Sequence, residues 1–398
     1  MNRFDYYNPV RVVFGAGEVE NVGTVAKEFG NKVCVVSYKD LMFLEPLMER
    51  ITKLLEAEGI EVFPFYEFEA NPDIAVVAKG SQYCKDNGVQ LVIGVGGGSA
   101  MDAAKVVAAG VYYEGDPWNM VNSRHDGAGA SVPPSKALPL MMIPTLPATG
   151  SEMNQCAVVS NKVLKEKSYI WASCLFPTVS IIDPELTMTL PLKQSAYAAA
   201  DTISHVLEIY INGAGDSDLQ HYFQEGVMRT VIDNFPKILK DPKDISARSH
   251  LQWAATCAIN GWASPGDAWT PIHQVAHVLT SRHGVAHGAS LAMLMPSWMT
   301  LFSSRRPEQY VRFAKNVMQV DPTGKSDEQI IEEGIAAFTA FLNEIGAGLK
   351  MSDMGVTEAD FEPIVENVVK VSFGADGYLS CNPPVSQADI KELLKLAL

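Results

Sequence analysis

The chain has 398 residues, 47% of them hydrophobic and 19% charged, and 31 basic against 46 acidic residues give a net charge of −15. This composition excludes a disordered or fibrous chain, and the length is typical of two domains. The negative charge argues against a nucleic-acid or anionic-membrane surface, because both require a basic patch. We therefore expect a globular protein with neither nucleic acid nor membrane as a partner.

The cysteines and the N-terminus indicate a cytoplasmic protein. The six cysteines are scattered and form no C-x-x-C pair, so neither a disulfide scaffold nor a thiolate zinc site is expected. The N-terminus carries Asp5 and Pro9 where a signal peptide needs an apolar core. No run of about 18 apolar residues is present that could span a membrane.

In the first half of the chain, short β-branched apolar runs alternate with helical patterns. The predicted strands are 33–36, 61–65, 91–94, 138–143 and 179–182. The predicted helices between them are 41–58, 73–87 and 99–112. Strands that alternate with helices form a mainly parallel sheet covered on both faces. The sequence therefore predicts an α/β nucleotide-binding domain over residues 1–184.

After Pro184 the strand signal ends and only helical patterns follow. The predicted helices are 191–211, 217–239, 244–262, 288–302, 325–345, 357–372 and 386–397. Proline and glycine breaks separate them. The sequence therefore predicts an all-α domain over residues 185–398.

A glycine-rich loop, 94–99, follows the third predicted strand and opens a helix. Glycines let backbone N–H groups approach a phosphate, and a helix N-terminus attracts negative charge. A tight turn without a ligand is the alternative. The usual Rossmann fingerprint lies in the first βα turn, so this position predicts a different nucleotide-binding arrangement.

A second polar loop, 144–152, follows the next predicted strand. Its hydroxyl groups and glycine suit contacts with a ribose, a pyrophosphate or a nicotinamide amide at the sheet edge. Ser151 could instead serve only as a helix cap. The occurrence of two such loops at neighbouring strand ends favours a bound nucleotide.

Two pairs of residues in the helical half have the spacing of metal ligands. Asp201 and His205 are four residues apart on one helix face, and His273 and His277 repeat that spacing. His287 follows, and four of the eight histidines fall within 273–287. An acid and several imidazoles from two helices are compatible with either Zn²⁺ or Fe²⁺. The spacing does not say which of the four late histidines bind.

Taken together, these motifs resemble the iron-containing (group III) alcohol dehydrogenases. The motifs occur in the family's order over nearly the whole chain, and they are Asn8-Pro9, Phe14-Gly15-x-Gly17, Gly96-Gly97-Gly98-Ser99-x-x-Asp102-x-x-Lys105, Gly115-Asp116-Pro117-Trp118, Pro144-Thr145 to Glu152, Asp201-x3-His205, and His273-x3-His277 ending in His287-Gly288. The resemblance implies a dinucleotide-binding α/β domain and an all-helical metal-binding domain. It also implies hydride transfer between NAD(P)H and a short-chain aldehyde or primary alcohol, such as butanal or butanol, in a homodimer.

The resemblance also implies roles for individual residues. The metal ligands would be Asp201, His205, His273 and His287. His277 matches the family's non-ligand histidine near the nicotinamide and would be catalytic, together with Lys167. The cofactor contacts would be Tyr38, Asn71, Gly97, Gly98, Ser99, Asp102, Thr145, Thr149 and Lys167.

The chain departs from the common family pattern at two segments, 145–149 and 286–288. At both segments it resembles the branch of butanol dehydrogenases and NADPH-dependent aldehyde reductases. In addition, Tyr38 stands where members that prefer NAD often carry an aspartate, which binds the ribose 2′-OH and repels a 2′-phosphate. With Lys39 next to it, this favours NADP over NAD, although Asp40 follows.

Three other functions are compatible with parts of the sequence. A dehydroquinate-synthase-like enzyme would bring several basic residues near the metal, but 260–290 contains only Arg282. A polyol dehydrogenase, of the glycerol type, would use the same scaffold. A non-catalytic, metal-stabilised helical protein would leave the two polar loops unexplained.

Overall fold

The computed structural model describes residues 3–122, 131–164, 166–213, 217–264 and 270–398, apart from the side chain of Met42. The chain divides into two compact units. One is Tyr7–Leu190, and the other is Pro191–Leu398 together with the N-terminal residues up to Tyr6. Within the described ranges, no helix combines the length and the apolar character that crossing a membrane would require.

The unit Tyr7–Leu190 is built on a parallel sheet. Its strands are β1 (Arg11–Phe14), β2 (Lys32–Tyr38), β3 (Glu61–Phe68), β4 (Leu91–Gly96), β5 (Leu140–Pro144), β6 (Cys156–Asn161), β7 (Glu166–Trp171) and β8 (Val179–Ile182). Six of those described form the parallel sheet, in the order β1-β8-β5-β4-β2-β3, and β6 and β7 form a separate antiparallel pair. The helices of this unit are α1 (Val22–Lys27), α2 (Glu45–Ala57), α3 (Ile74–Asn87) and α4 (Gly98–Gly110).

The sheet is covered on both faces. Val33 and Val35 of β2 enter one apolar core, whereas Cys34 and Val36 enter the other. All four side chains are completely buried, which explains why β2 is a continuous apolar run rather than an alternating one. The predicted α/β class with a mainly parallel sheet is confirmed. The sequence did not predict β1 or the β6–β7 pair.

The order of the strands locates the crevice where a nucleotide binds in this class of fold. From β2 the chain passes to β3 at the edge of the sheet and then returns to β4 on the other side of β2. The connections after β2 and β4 therefore run in opposite directions. Open α/β sheets bind ligands at such a switch point, outside the carboxyl ends of the strands. The glycine-rich loop 94–99 lies at this point.

The unit Pro191–Leu398 is helical. Its described helices are α5 (Leu192–Asn212), α6 (Asp218–Lys240), α7 (Ile245–Ala258), α8 (Pro271–His283), α9 (His287–Phe302), α10 (Pro307–Asn316), α11 (Asp327–Glu344), α12 (Phe361–Ser372) and α13 (Gln387–Ala397). They share one apolar core, to which α5 contributes small residues such as Ala196, Ala199 and Ala200. The predicted helical class of this half is confirmed, although the sequence predicted neither the bounds of α8 nor the helix α10.

Candidate functional site

The structure brings together the four residues that were predicted as metal ligands. Asp201 and His205 lie one turn apart on α5, His273 lies in the first turn of α8, and His287 is the first residue of α9. The Nε2 atoms of His205, His273 and His287 lie 3.6, 3.5 and 3.7 Å from a single oxygen, Oδ1 of Asp201. One carboxylate and three imidazoles therefore converge on one point.

A glycine allows α9 to approach α5 closely enough for this convergence. A Cβ placed on Gly288 would lie 2.1 Å from the carbonyl oxygen of Tyr197 on α5. Only glycine fits such a contact with backbone. Gly288 thus lets the first turn of α9 pack against α5, next to the turn that carries Asp201, and this position places His287 in the cluster.

The side chains present fit a divalent metal ion. In the described part of the chain, Oδ1 of Asp201 and Nε2 of His273 are buried and have no hydrogen-bond partner. Buried polar atoms are nearly always paired, so two unpaired atoms that face each other indicate a missing partner. One carboxylate oxygen with three imidazole nitrogens suits Zn²⁺ or Fe²⁺.

Burial and charge set the protonation of this cluster. Burial alone would raise the pKa of Asp201, but the facing imidazoles hold it well below its usual range. Burial lowers the pKa of His205 to about 4, which keeps its imidazole in the neutral form that binds metals. Burial also acts to lower the pKa of His273, but the carboxylates of Glu208 and Asp201 outweigh it and raise that pKa to about 10.

The sequence did not predict the role of Glu208, which contacts the cluster from α5. Its Oε1 accepts hydrogen bonds from Ser204 Oγ (2.7 Å) and from Nδ1 of His273 (2.5 Å). Its Oε2 accepts from the backbone N–H groups of Ile272 (2.6 Å) and His273 (3.2 Å). The sequence feature that could have identified Glu208 is its position, as an acidic residue three positions after His205 on a largely apolar helix.

The two remaining late histidines, His277 and His283, both lie on α8. The ring of His277 is half-buried and stacks on that of His287, with centroids 5.0 Å apart. Its centroid is 6.1 Å from that of His273. His283 is the last residue of α8.

In the other unit, the two predicted loops contact each other. The backbone N–H of Thr145 donates to the carbonyl of Gly96 at 2.9 Å. A Cβ placed on Gly98 would lie 2.6 Å from Oγ1 of Thr149, so the absence of a side chain lets the loops approach. The N-cap of α4 is Gly97, which offers no side-chain cap. The first backbone N–H groups of α4 are therefore suited to an anion.

Tyr38 lies over this glycine loop. It ends β2, next to β4, and its ring packs 5.7 Å from that of Phe68. A Cβ placed on Gly97 would lie 3.2 Å from the Tyr38 hydroxyl oxygen, and one on Gly96 would lie 2.9 Å from its ring. Burial raises the pKa of Tyr38 to about 12. The predicted cofactor residue is thus at the switch point of the sheet.

Three further predicted cofactor residues meet at one place. Nζ of Lys167, on β7, lies 2.9 Å from Oδ1 of Asn71. The backbone N–H of Asn71 donates to Ser99 Oγ at 3.3 Å. Asn71 has a φ of 60°, a left-handed conformation that asparagine tolerates better than most residues. Three separate elements thus bring Asn71, Ser99 and Lys167 together.

Asp102 connects α4 to the second polar loop and to β6. One of its oxygens accepts a hydrogen bond from Ser151 Oγ (2.7 Å) and the other from the backbone N–H of Val158 (2.9 Å). One turn later, Lys105 donates to the carbonyl of Asn154 at 2.9 Å, and burial lowers the pKa of Lys105 to about 8. The structure therefore gives Asp102 a positioning contact beneath the two loops.

Family profiles match both halves of the chain. The profile of iron-containing alcohol dehydrogenase covers residues 9–184, and the C-terminal profile of the Fe-containing alcohol dehydrogenase family covers residues 195–398.

Individual proteins agree with the profiles. The chain is 34% identical over 400 residues to NADH-dependent butanol dehydrogenase A of Clostridium acetobutylicum, covering 99% of each chain. It is 28% identical to the NADPH-dependent aldehyde reductase YqhD of Escherichia coli, covering 92% of this chain and 93% of that one. The crystal structure of NADH-dependent butanol dehydrogenase A from Thermotoga maritima shares 35% identity and a TM-score of 0.92, over 100% of this chain and 99% of that one. The chain therefore belongs to the iron-containing alcohol dehydrogenase family, which confirms both the predicted family and the predicted enzyme class, an NAD(P)-dependent alcohol dehydrogenase.

Proposed function

We propose that the protein transfers hydride between NAD(P)H and a short-chain aldehyde or primary alcohol, such as butanal or butanol. Asp201, His205, His273 and His287 would hold one divalent ion, Fe²⁺ or Zn²⁺. The observation that carries the proposal is the convergence of three Nε2 atoms, at 3.5, 3.6 and 3.7 Å, on one oxygen of Asp201. The butanol dehydrogenases and the aldehyde reductase among the relatives support this substrate class.

The residues around the ion have distinct tasks. A divalent ion, when bound, supplies Lewis acidity at the oxygen of the substrate. His205 and His287 would bind through imidazole nitrogens, and Asp201 would contribute one negative charge. Glu208 adds a second buried carboxylate through its contact with His273. Two carboxylates balance the charge of a divalent ion, which favours its retention in a buried site.

His277 is proposed as the group that moves a proton to or from the substrate oxygen. Imidazole exchanges protons near neutral pH, as this step requires. The ring of His277 is half-buried and stacks on that of the ligand His287. It would therefore lie next to the proposed ion.

Residues 1–184 are proposed to bind the dinucleotide, and residues 185–398 the metal and the substrate. The backbone N–H groups of Gly97, Gly98 and Ser99 would hold the pyrophosphate, because they begin α4 and attract negative charge. Thr145 and Thr149 would contact the nicotinamide side. The nicotinamide supplies the hydride chemistry, and these residues supply its position. Asn71 and Lys167 would complete the contacts, with Lys167 also serving catalysis.

NADP is proposed as the preferred nucleotide, with NAD also accepted. An acidic side chain at the end of β2 would bind the ribose 2′-OH and repel a 2′-phosphate. The chain has Tyr38 there, followed by Lys39. Named relatives include both NADH-dependent and NADPH-dependent enzymes. The homodimer and the cytoplasmic location stay predictions from the sequence.

The decisive experiment measures nucleotide oxidation with butanal. The protein is purified under reducing conditions, loaded with Fe²⁺ or Zn²⁺, and assayed with NADPH and with NADH. We expect both nucleotides to be oxidised, with a higher kcat/KM for NADPH. The matched control is His205→Ala, prepared in parallel, which should lose the ion and the activity. The absence of oxidation with any short aldehyde by the metal-loaded protein would overturn the proposal.

A further inference from the structure

We propose that Glu208 is a positioning residue that fixes His273 with its Nδ1 protonated and its Nε2 directed at the ion. The inference rests on the proposed function, because it assumes that His273 is a metal ligand. It adds a residue that neither the spacing of the motifs nor the family resemblance identified.

Glu208 is completely buried, and each of its oxygens has two donors. Oε1 accepts from Ser204 Oγ and from Nδ1 of His273, at 2.7 and 2.5 Å. Oε2 accepts from the backbone N–H groups of Ile272 and His273, at 2.6 and 3.2 Å. An ionised carboxylate accepts only, so this arrangement satisfies it fully.

These contacts determine which ring nitrogen of His273 carries its proton. The backbone N–H groups at Oε2 can only donate, which holds Glu208 in the orientation that presents Oε1 to the imidazole. Nδ1 of His273 must then be the donor, which leaves the lone pair on Nε2 for the ion. Nε2 is also the atom that lies 3.5 Å from Oδ1 of Asp201. Carboxylates that hold ligating histidines in this way raise their affinity for metals.

The same side chain fixes the helix that carries His273. The N-cap of α8, Thr270, makes no side-chain capping bond. The two backbone N–H groups that Glu208 accepts from belong to the first turn of α8, where a negative charge is stabilising. Because Glu208 lies on α5, it ties the start of α8 to the helix that carries Asp201 and His205.

Glutamine cannot replace this glutamate. Its side chain has nearly the same size, but one oxygen is exchanged for an amide NH₂ group. In one orientation the NH₂ faces two backbone donors, and in the other it faces the Nδ1 proton of His273. Glu208→Gln should therefore weaken metal binding by about 10- to 100-fold, as loss of such partners does in other metal sites.

The first test measures the affinity of the metal-free protein for Co²⁺, by absorption titration against a competing chelator. The matched control is Glu225→Gln in the same helical unit. Glu225 is also buried and accepts from Tyr210, Arg312 and Asn316. We expect the affinity to fall in the Glu208 variant and to be retained in the Glu225 variant. Equal affinity of Glu208→Gln and the wild type would overturn the positioning role.

The second test separates positioning from a merely structural role. The measurement is the proton NMR spectrum of the Co²⁺ protein. Each ligating imidazole whose Nδ1 is protonated gives its own paramagnetically shifted signal, from a proton that exchanges with solvent. Glu208→Gln should lose the signal of His273 to fast exchange and keep those of His205 and His287. A structural role would change all three signals or none, and either result would contradict the proposal.

A milder variant covers the case in which Glu208→Gln does not fold. Ser204→Ala removes one donor to Oε1 and leaves the carboxylate in place, so the signal of His273 alone should shift. No shift in any signal would overturn the proposal. A wild-type protein that binds no Co²⁺ would contradict the proposed metal site itself, whereas binding that is insensitive to Glu208 would contradict only the positioning role.

Discussion

The two units of the chain are built to hold their ligands by different means. In the helical unit, the converging atoms belong to side chains, and Asp201, His205 and His273 are only 3%, 6% and 6% exposed. In the α/β unit, the glycine loop offers mainly backbone N–H groups at the start of α4. The proposed metal site therefore depends on which side chains are present, and the proposed nucleotide site depends mainly on which side chains are absent.

This difference predicts which substitutions disrupt ligand binding at each site. A site made of side chains loses a ligand with every substitution, and a buried partner is left unpaired. A site made of backbone keeps its donors after most substitutions, but it fails where a new side chain fills the space that the ligand or a neighbouring loop requires. Substitutions in the two units should therefore affect metal content and nucleotide binding separately.

The largest effect is expected for Asp201→Ala. The variant removes the one carboxylate on which the three imidazoles converge, so the ion is lost together with its Lewis acidity. Because that acidity contributes several kcal/mol, kcat/KM should fall by roughly 10³-fold or more. Metal analysis and butanal kinetics measure the two losses. NADPH binding, followed by fluorescence, should be retained, and its loss would show that the two sites do not fail separately.

His277→Ala tests the distinction between a ligand and a non-ligand histidine within the cluster. His277 stacks on His287, and its ring centroid lies 6.1 Å from that of His273. The variant should retain the metal while kcat falls by about 10²-fold or more, the usual contribution of a general acid or base. Loss of the metal with retained nucleotide binding would instead make His277 a ligand.

Much of the fold and the Asp201–His205 half of the metal cluster could be predicted from local signals, whereas the choice of His273 and His287 came from the family resemblance. Asp201 and His205 share a helix face by their spacing alone, and the buried strand β2 is a continuous apolar run. Glu208 was missed because a single acid on a helix more often faces solvent. The strand β1 was missed because two of its four residues are exposed and the other two are only half-buried. The position of the Tyr38 ring over Gly96 and Gly97 depends on the pairing of β2 with β4, which no local pattern reveals.

Gly98→Ala tests the backbone site. The added Cβ would lie 2.5 Å from the Cγ2 atom of Thr149, so the two polar loops must separate. We expect the KM for NADPH to rise by about tenfold or more, since a loss of about 1.4 kcal/mol in binding corresponds to tenfold. The metal content should not change.

The matched control for Gly98→Ala is Gly226→Ala. Gly226 lies within α6, and nothing lies within 4 Å of a Cβ placed there. This variant should bind the nucleotide normally and be slightly more stable to heat. Equal KM values for the two alanine variants would show that close packing against Thr149 is not required.

The smallest effect is expected for Tyr38→Asp, measured as the ratio of kcat/KM for NADPH to kcat/KM for NADH. A carboxylate at the end of β2 would repel a 2′-phosphate and accept hydrogen bonds from the ribose hydroxyls. About 1.4 kcal/mol of repulsion at a partly solvated site would lower the ratio about tenfold.

Tyr38→Phe separates the new charge from the lost hydroxyl group. The phenylalanine keeps the packing over Gly96 and Gly97 and removes only the hydroxyl group. The Tyr38 ring packs over the glycine loop, which would bind the part of the cofactor that NAD and NADP share. Loss of this packing should therefore change both kcat/KM values by the same factor. A lower ratio in Tyr38→Asp but not in Tyr38→Phe would therefore assign nucleotide choice to charge at residue 38. An unchanged ratio in both variants would place that choice elsewhere in the α/β unit.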